Sequence, residues 1–171
     1  MEIFLLCLPL AVGGLAAALT MGSMAQYSAL PQPPLAPPPW VFPVAWTALY
    51  LLMGLASRRI YRLHTAESRR ALRLHYAQLG ANFVWPLLFF RAGEYAVAFW
   101  WLLFLLALAA AEMASFRRLD RTAGRLLVPY LAWLVFAAYL NYAVVRLIFP
   151  CKIDVKSNIV PLFPVDTVRM D

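Results

Sequence analysis

From Ile3 to Ser57 the chain carries no Asp, Glu, Lys, Arg or His. About 20 apolar residues cross the hydrocarbon core of a bilayer as a helix, so this stretch is long enough for two spans. The break between them falls at residues 31–39, where six of nine residues are proline. Each proline lacks an N–H and clashes with the preceding turn, so no helix runs through it. Span one is therefore expected over about 3–27 and span two over about 40–57.

Three more runs free of acidic or strongly basic side chains follow, at Leu74–Phe90, Tyr95–Ala111 and Leu126–Val145. With modest extension at their ends they give spans at about 74–90, 95–116 and 122–149. The fold class read from this pattern is all-α, a polytopic membrane protein built as a five-transmembrane-helix bundle. It occupies residues 1–149 as one domain, followed by a C-terminal tail at 150–171. Pro129 lies early in the fifth span, where neighbours can satisfy the carbonyl it frees. Asp120 precedes that span as an expected N-cap.

Composition agrees. Of 171 residues, 64% are hydrophobic and 13% charged, against about 45–50% apolar and about 25% charged in soluble proteins. A soluble domain of this size needs a larger polar skin. The net charge of +7 does not describe a nucleic-acid footprint, because the arginines sit in short clusters between apolar runs rather than along one surface stripe.

Those clusters set the topology instead. The connection after span two carries Arg58, Arg59, Arg62, Arg69, Arg70 and Arg73, and the one after span four carries Arg117, Arg118, Arg121 and Arg125. The opposite side has only Arg91, Arg146, Lys152, Lys156 and Arg169. The N-terminus is thus expected inside, an arrangement suited to a bacterial inner membrane. Only Glu2 precedes the first apolar run, so a cleaved signal peptide, with its cationic start, is not expected. Cys7 and Cys151 fall near opposite faces and are expected to be too far apart to pair.

The composition leaves one excess to explain, an aromatic content of 15%. Helical spacing stacks Phe42, Trp46, Tyr50 and Gly54 on one face of span two. The same spacing groups Gln78, Asn82, Trp85 and Phe89 in span three, and Trp133, Ala137, Leu140 and Asn141 in span five. Three such stripes suit a cavity for a planar apolar ligand. Equally, the amides can serve as hydrogen-bond glue between helices and the aromatics as an interfacial belt. The residues alone leave both readings open. His64 and His75 fall in or beside the basic connection and read as solvated. Glu112 reads as interfacial, and no metal site is expected.

Two smaller patterns remain. Gly14, Ala18 and Gly22 form a small-residue ladder that permits close approach of another helix, whether in the same chain or a second subunit. Leu140, Tyr142 and Arg146 fit a proposed sterol-contact pattern, which also describes an interfacial tyrosine and a snorkelling arginine.

The segment Pro37-Pro38-Pro39-Trp40-Val41-Phe42-Pro43-Val44-Ala45-Trp46-Thr47-Ala48-Leu49-Tyr50 resembles the signature of the TspO/MBR family of tryptophan-rich sensory and translocator proteins. Two further blocks agree in order and spacing. One is Gln78, Asn82 and Trp85 running into Phe89-Phe90. The other is Leu126-Leu127-Val128-Pro129-Tyr130-Leu131-Ala132-Trp133, continued by Phe136-Ala137 and Leu140-Asn141-Tyr142. The resemblance implies a five-helix bundle, commonly a homodimer, with a cavity beneath the first loop that takes porphyrins such as protoporphyrin IX. Haem, sterols and benzodiazepine-type molecules are further ligands it implies; no cofactor is required.

By position, Trp46 and Trp133 match the two tryptophans facing bound ligand. Tyr27, Phe42, Gln78, Asn82, Phe90, Ala137 and Leu140 match other wall or rim positions. The implied function is a membrane receptor or sensor of tetrapyrroles. Light-dependent porphyrin breakdown at Trp46 and Trp133 is an alternative, and porphyrin or sterol transport a second. The chain departs from the family at Gln26-Tyr27, where a Trp-Tyr pair is usual, at Gln32-Pro33-Pro34-Leu35 in the loop, and in its tail after the fifth span.

Overall fold

The computed structural model describes residues 2–23 and 35–148. The proline-rich segment before residue 35, Tyr27, Cys151 and the tail therefore lie outside the described residues. Within them the chain is all helix, with no strand. Helix α1 (Glu2–Thr20) runs on as a 3₁₀ turn, Met21–Ser23, and α2 spans Val41–Tyr61. Helix α3 (Ala66–Pro86) ends in a π turn, Leu87–Arg91, directly after the proline. Helix α4 covers Tyr95–Leu119, α5 is the short Arg121–Leu126, and α6 covers Val128–Ile148.

The helices outrun the charge-free segments. Arg58 and Arg59 belong to the last turns of α2, and α3 starts at Ala66, well before the expected 74. Arginine is a good helix former and its long stem carries the charge out to water, so the charged turns need not unwind. The ends are capped as their residues dictate. Thr65 and Ser68 form a reciprocal capping box at the start of α3. Asp120 Oδ1 accepts from the amides of Thr122 and Ala123 at 2.7 and 3.1 Å, the expected N-cap, although on α5. The last predicted span is interrupted at Leu127, two residues before Pro129.

Among the described residues, four segments are long and apolar enough to cross a membrane: Glu2–Ser23, Val41–Tyr61, Tyr95–Leu119 and Arg121–Ile148. Helix α3 does not meet that criterion. Its first turns carry Arg69, Arg70 and Arg73, and its later turns bury His75, Gln78 and Asn82. Its polarity has a place in the packing, since α3 lies against α4 and also touches α1 and α2. Around it α1 packs on α2, α4 on α6, and α5 bridges α2 and α4.

Large apolar side chains project outward from the bundle, among them Phe4, Leu51, Trp100, Phe104, Val135 and Leu147. A soluble protein does not expose apolar surface so broadly; here it faces the lipid of an integral membrane protein.

Small residues set the closest contact. A Cβ on Gly54 of α2 would sit 2.7 Å from the Leu6 carbonyl oxygen and 3.0 Å from Leu6 Cα of α1. Gly13 of α1 is covered by the Tyr50 ring of α2, which fills the space a Cβ would take. The Gly14, Ala18 and Gly22 ladder faces outward, and a Cβ on Gly14 or Gly22 would meet nothing within 4 Å. Its close-approach surface is unused within the described chain.

Candidate functional site

The apolar stripe of α2 brings Phe42, Trp46 and Tyr50 against α6. Trp46 stacks on Tyr50 with ring centroids 5.3 Å apart and meets Trp133 edge to face at 6.4 Å. Phe42 approaches the other side of Trp133 at 6.1 Å, and Tyr130 lies 6.4 Å from Trp46. Such tilted and stacked geometries are those the ring quadrupoles favour. Tyr50 is buried, whereas Phe42, Trp46 and Trp133 are partly exposed. The two tryptophans are thus brought together from helices far apart in sequence.

Helix α3 supplies the polar wall. His75, Gln78, Asn82, Trp85 and Phe89 follow one helical face, and all five are buried. Gln78 donates from Nε2 to the Tyr130 hydroxyl, tying α3 to α6. Asn82 has the Tyr50 hydroxyl within reach as a polar neighbour, but neither its amide nitrogen nor its oxygen has a hydrogen bond of good geometry, and Gln78 Oε1 is unpaired. Buried polar atoms are nearly always paired, and leaving one unpaired costs about 1–3 kcal/mol. Two adjacent side chains with spare hydrogen-bonding capacity therefore border the aromatic cluster.

The other amide has a different role. Asn141 donates from Nδ2 to the Tyr95 carbonyl at 2.9 Å and its Oδ1 accepts from Trp85 Nε1 at 3.4 Å. It is interhelical glue. Trp85 stacks on Phe89 and meets Phe90 edge to face, forming a second aromatic group. Ala137 and Leu140 are buried on α6. Tyr142 points outward against Phe99, so it does not share a face with Leu140, and Arg146 is exposed.

Two expectations are overturned. His75 is not solvated and Glu112 is not interfacial: both side chains are 0% exposed, and His75 Nδ1 lies 2.7 Å from Glu112 Oε1. The cause is the extension of α3, which carries His75 several turns into the bundle, where α4 meets it with Glu112. Each group offsets part of the other's cost of burial. The sequence held the signal: His75 stands three residues before Gln78 and seven before Asn82, on the same stripe. Tyr130 was passed over for another reason, since its role appears only through its contacts with Gln78 and Trp46.

The family model described as TspO/MBR family matches residues 5–147, nearly all of the described bundle. The chain belongs to the TspO/MBR family. It is similar to the tryptophan-rich sensory protein of Cereibacter sphaeroides, with 42% identity over 71% of this chain and 75% of that protein. It is also similar to the translocator protein of Ovis aries, with 42% identity over 68% of this chain and 70% of that protein. The human translocator protein is 37% identical over 70% of this chain and 73% of its own length. Within this TspO/MBR chain, the Trp46–Trp133 cluster and the α3 amides are where the family signature blocks converge.

Proposed function

We propose that this TspO/MBR protein is a membrane receptor that takes a planar tetrapyrrole, such as protoporphyrin IX, between the Trp46–Trp133 cluster and the α3 amides. All five long helical segments cross the bilayer in this reading, α3 included, because its polar face is turned into the bundle. The N-terminus lies inside, in a bacterial inner membrane, where the exposed Gly14–Ala18–Gly22 ladder offers a surface for homodimer formation.

The observation that carries the reading is Asn82, whose carboxamide is wholly buried next to Tyr50 of the Trp46–Tyr50 stack, with the Tyr50 hydroxyl in reach and no hydrogen bond of good geometry at either polar atom. Indole faces give a flat ring system contact area and about 0.5–1.5 kcal/mol per ring pair beyond it. An unpaired amide adds a hydrogen bond that fixes orientation. The sensory and translocator names of the relatives are in keeping with a membrane sensor. A sterol or benzodiazepine-type molecule would use the same aromatic walls.

The test is spectroscopic. Protein purified from cells fed a porphyrin precursor is expected to carry a red-shifted Soret band, and Asn82→Leu to reduce its occupancy. Protein that acquires no such band even with protoporphyrin IX in excess contradicts the proposal.

A further inference from the structure

A cavity lies apart from the aromatic cluster, where the basic end of α2 meets α5. It is lined by Leu55, Arg58, Arg59 and Arg62 of α2 and by Thr122 and Leu126 of α5, with a volume of about 260 Å³. That is below the ~300–1,000 Å³ of pockets for drug-sized ligands, so it is too small for a tetrapyrrole. Three guanidinium groups instead describe a site for a compact anion. Arginine's planar fork of donors matches the oxygens of a phosphate.

The cavity is braced by ion pairs that leave donors over. Arg58 Nε bonds Glu2 Oε2 at 2.8 Å, Arg62 Nη2 bonds the same oxygen at 2.7 Å, and Arg59 Nε bonds Asp120 Oδ2 at 2.8 Å. The terminal nitrogens of Arg58 and Arg59 take no bond among the described residues. Three cations face two carboxylates, and Arg121 and Arg125 on the same short helix add to the positive field. The carboxylates hold the arginines in place without neutralising them.

One feature of α2 separates a lipid from a free anion. Leu51 and Leu55 are exposed and lie one turn apart, directly in line with Arg58, Arg59 and Arg62. A single helix face thus passes from an apolar ridge to a cluster of guanidinium groups, as an acyl chain passes to its phosphate. Basic pockets between membrane helices bind anionic head groups by this arrangement. We propose that this cavity binds the phosphate of an anionic phospholipid, whose acyl chain lies along Leu55 and Leu51.

The experiment is native mass spectrometry of the purified full chain, in detergent, with phosphatidylglycerol or phosphatidylcholine. Phosphatidylglycerol is expected to be retained in preference, and to weaken about fivefold for each arginine neutralised in Arg58→Gln and Arg62→Gln. Thr122→Glu is the second variant. It places a carboxylate in the cavity without removing a partner of any ion pair, and in the first turn of α5 an acidic residue is compatible with the helix. It is expected to lose the lipid while unfolding at the wild-type temperature. Arg69→Gln with Arg70→Gln removes two charges outside the cavity and is expected to change nothing. Equal loss in that control, equal retention of phosphatidylcholine, or displacement of the lipid by millimolar inorganic phosphate each overturns the proposal. The last result would identify a free-anion site.

Discussion

His75 of α3 and Glu112 of α4 face each other at 2.7 Å, and neither side chain reaches solvent. Their remaining polar atoms, His75 Nε2 and Glu112 Oε2, have no partner. The pair therefore joins α3 to α4, as does the hydrogen bond that Trp101 Nε1 donates to the Ala81 carbonyl at 2.8 Å, and Phe116 lies beside the imidazole at 6.1 Å between ring centroids.

Removing one member of a buried pair leaves the other stranded, which costs about 3–5 kcal/mol. Glu112→Ala and His75→Ala are each expected to lower the thermal unfolding midpoint in detergent substantially. The double variant His75→Leu with Glu112→Leu is expected to recover most of that loss, because neither group is left alone. Additive losses in the double variant would show that the two side chains act separately.

The contact between α1 and α2 depends on Gly54. Placing a methyl group 2.7 Å from the Leu6 carbonyl oxygen forces the helices apart, and overpacking of this kind costs about 1–3 kcal/mol. Gly54→Ala is expected to destabilise by that amount in equilibrium unfolding. Gly80→Ala is the control, since a Cβ there meets nothing within 4 Å and alanine is the better helix former. Equal effects of the two substitutions would contradict the packing described.

Asp120 couples stability to acid. Burial pushes its carboxyl up, but the amides of Ala123 and Thr122 and the Arg59 guanidinium outweigh this and hold it below the ordinary 3.8. A carboxyl whose value is lowered on folding stabilises the fold fully above its ordinary value, and that contribution is lost as pH falls through the folded value. Unfolding midpoints are expected to drop below about pH 4 more steeply in wild type than in Asp120→Asn. At neutral pH, Asp120→Ala is expected to cost about 0.5–2 kcal/mol through the lost cap. Parallel pH profiles for wild type and Asp120→Asn would exclude this role.

The pattern of charge-free runs located every long helix among the described residues, and four of the segments are apolar enough to cross a bilayer. Helix boundaries were less legible. Arg58, Arg59, Arg69 and Arg70 interrupt hydropathy without interrupting hydrogen bonding, so α2 and α3 run past the limits the charges suggested. The aromatic stripe containing Trp46 was readable from helical spacing. Its contact with Trp133 was not, since spacing within helices is silent on which faces meet. His75 was misplaced because a charge count treats a histidine near arginines as part of their loop, whereas its register with Gln78 and Asn82 assigns it to the buried face. The two possible roles of the amides were divided between residues: Asn141 joins helices, whereas Gln78 and Asn82 keep spare hydrogen-bonding capacity.

In the proposed site Trp46 and Trp133 form the walls that hold the tetrapyrrole. The most direct measurement is a titration of the purified protein with protoporphyrin IX, followed by quenching of tryptophan fluorescence. Wild type is expected to show saturable quenching, and Trp46→Ala with Trp133→Ala to abolish the saturable part while Trp40, Trp85, Trp100 and Trp101 still report. Saturable quenching that survives unchanged in the folded double variant would contradict the account.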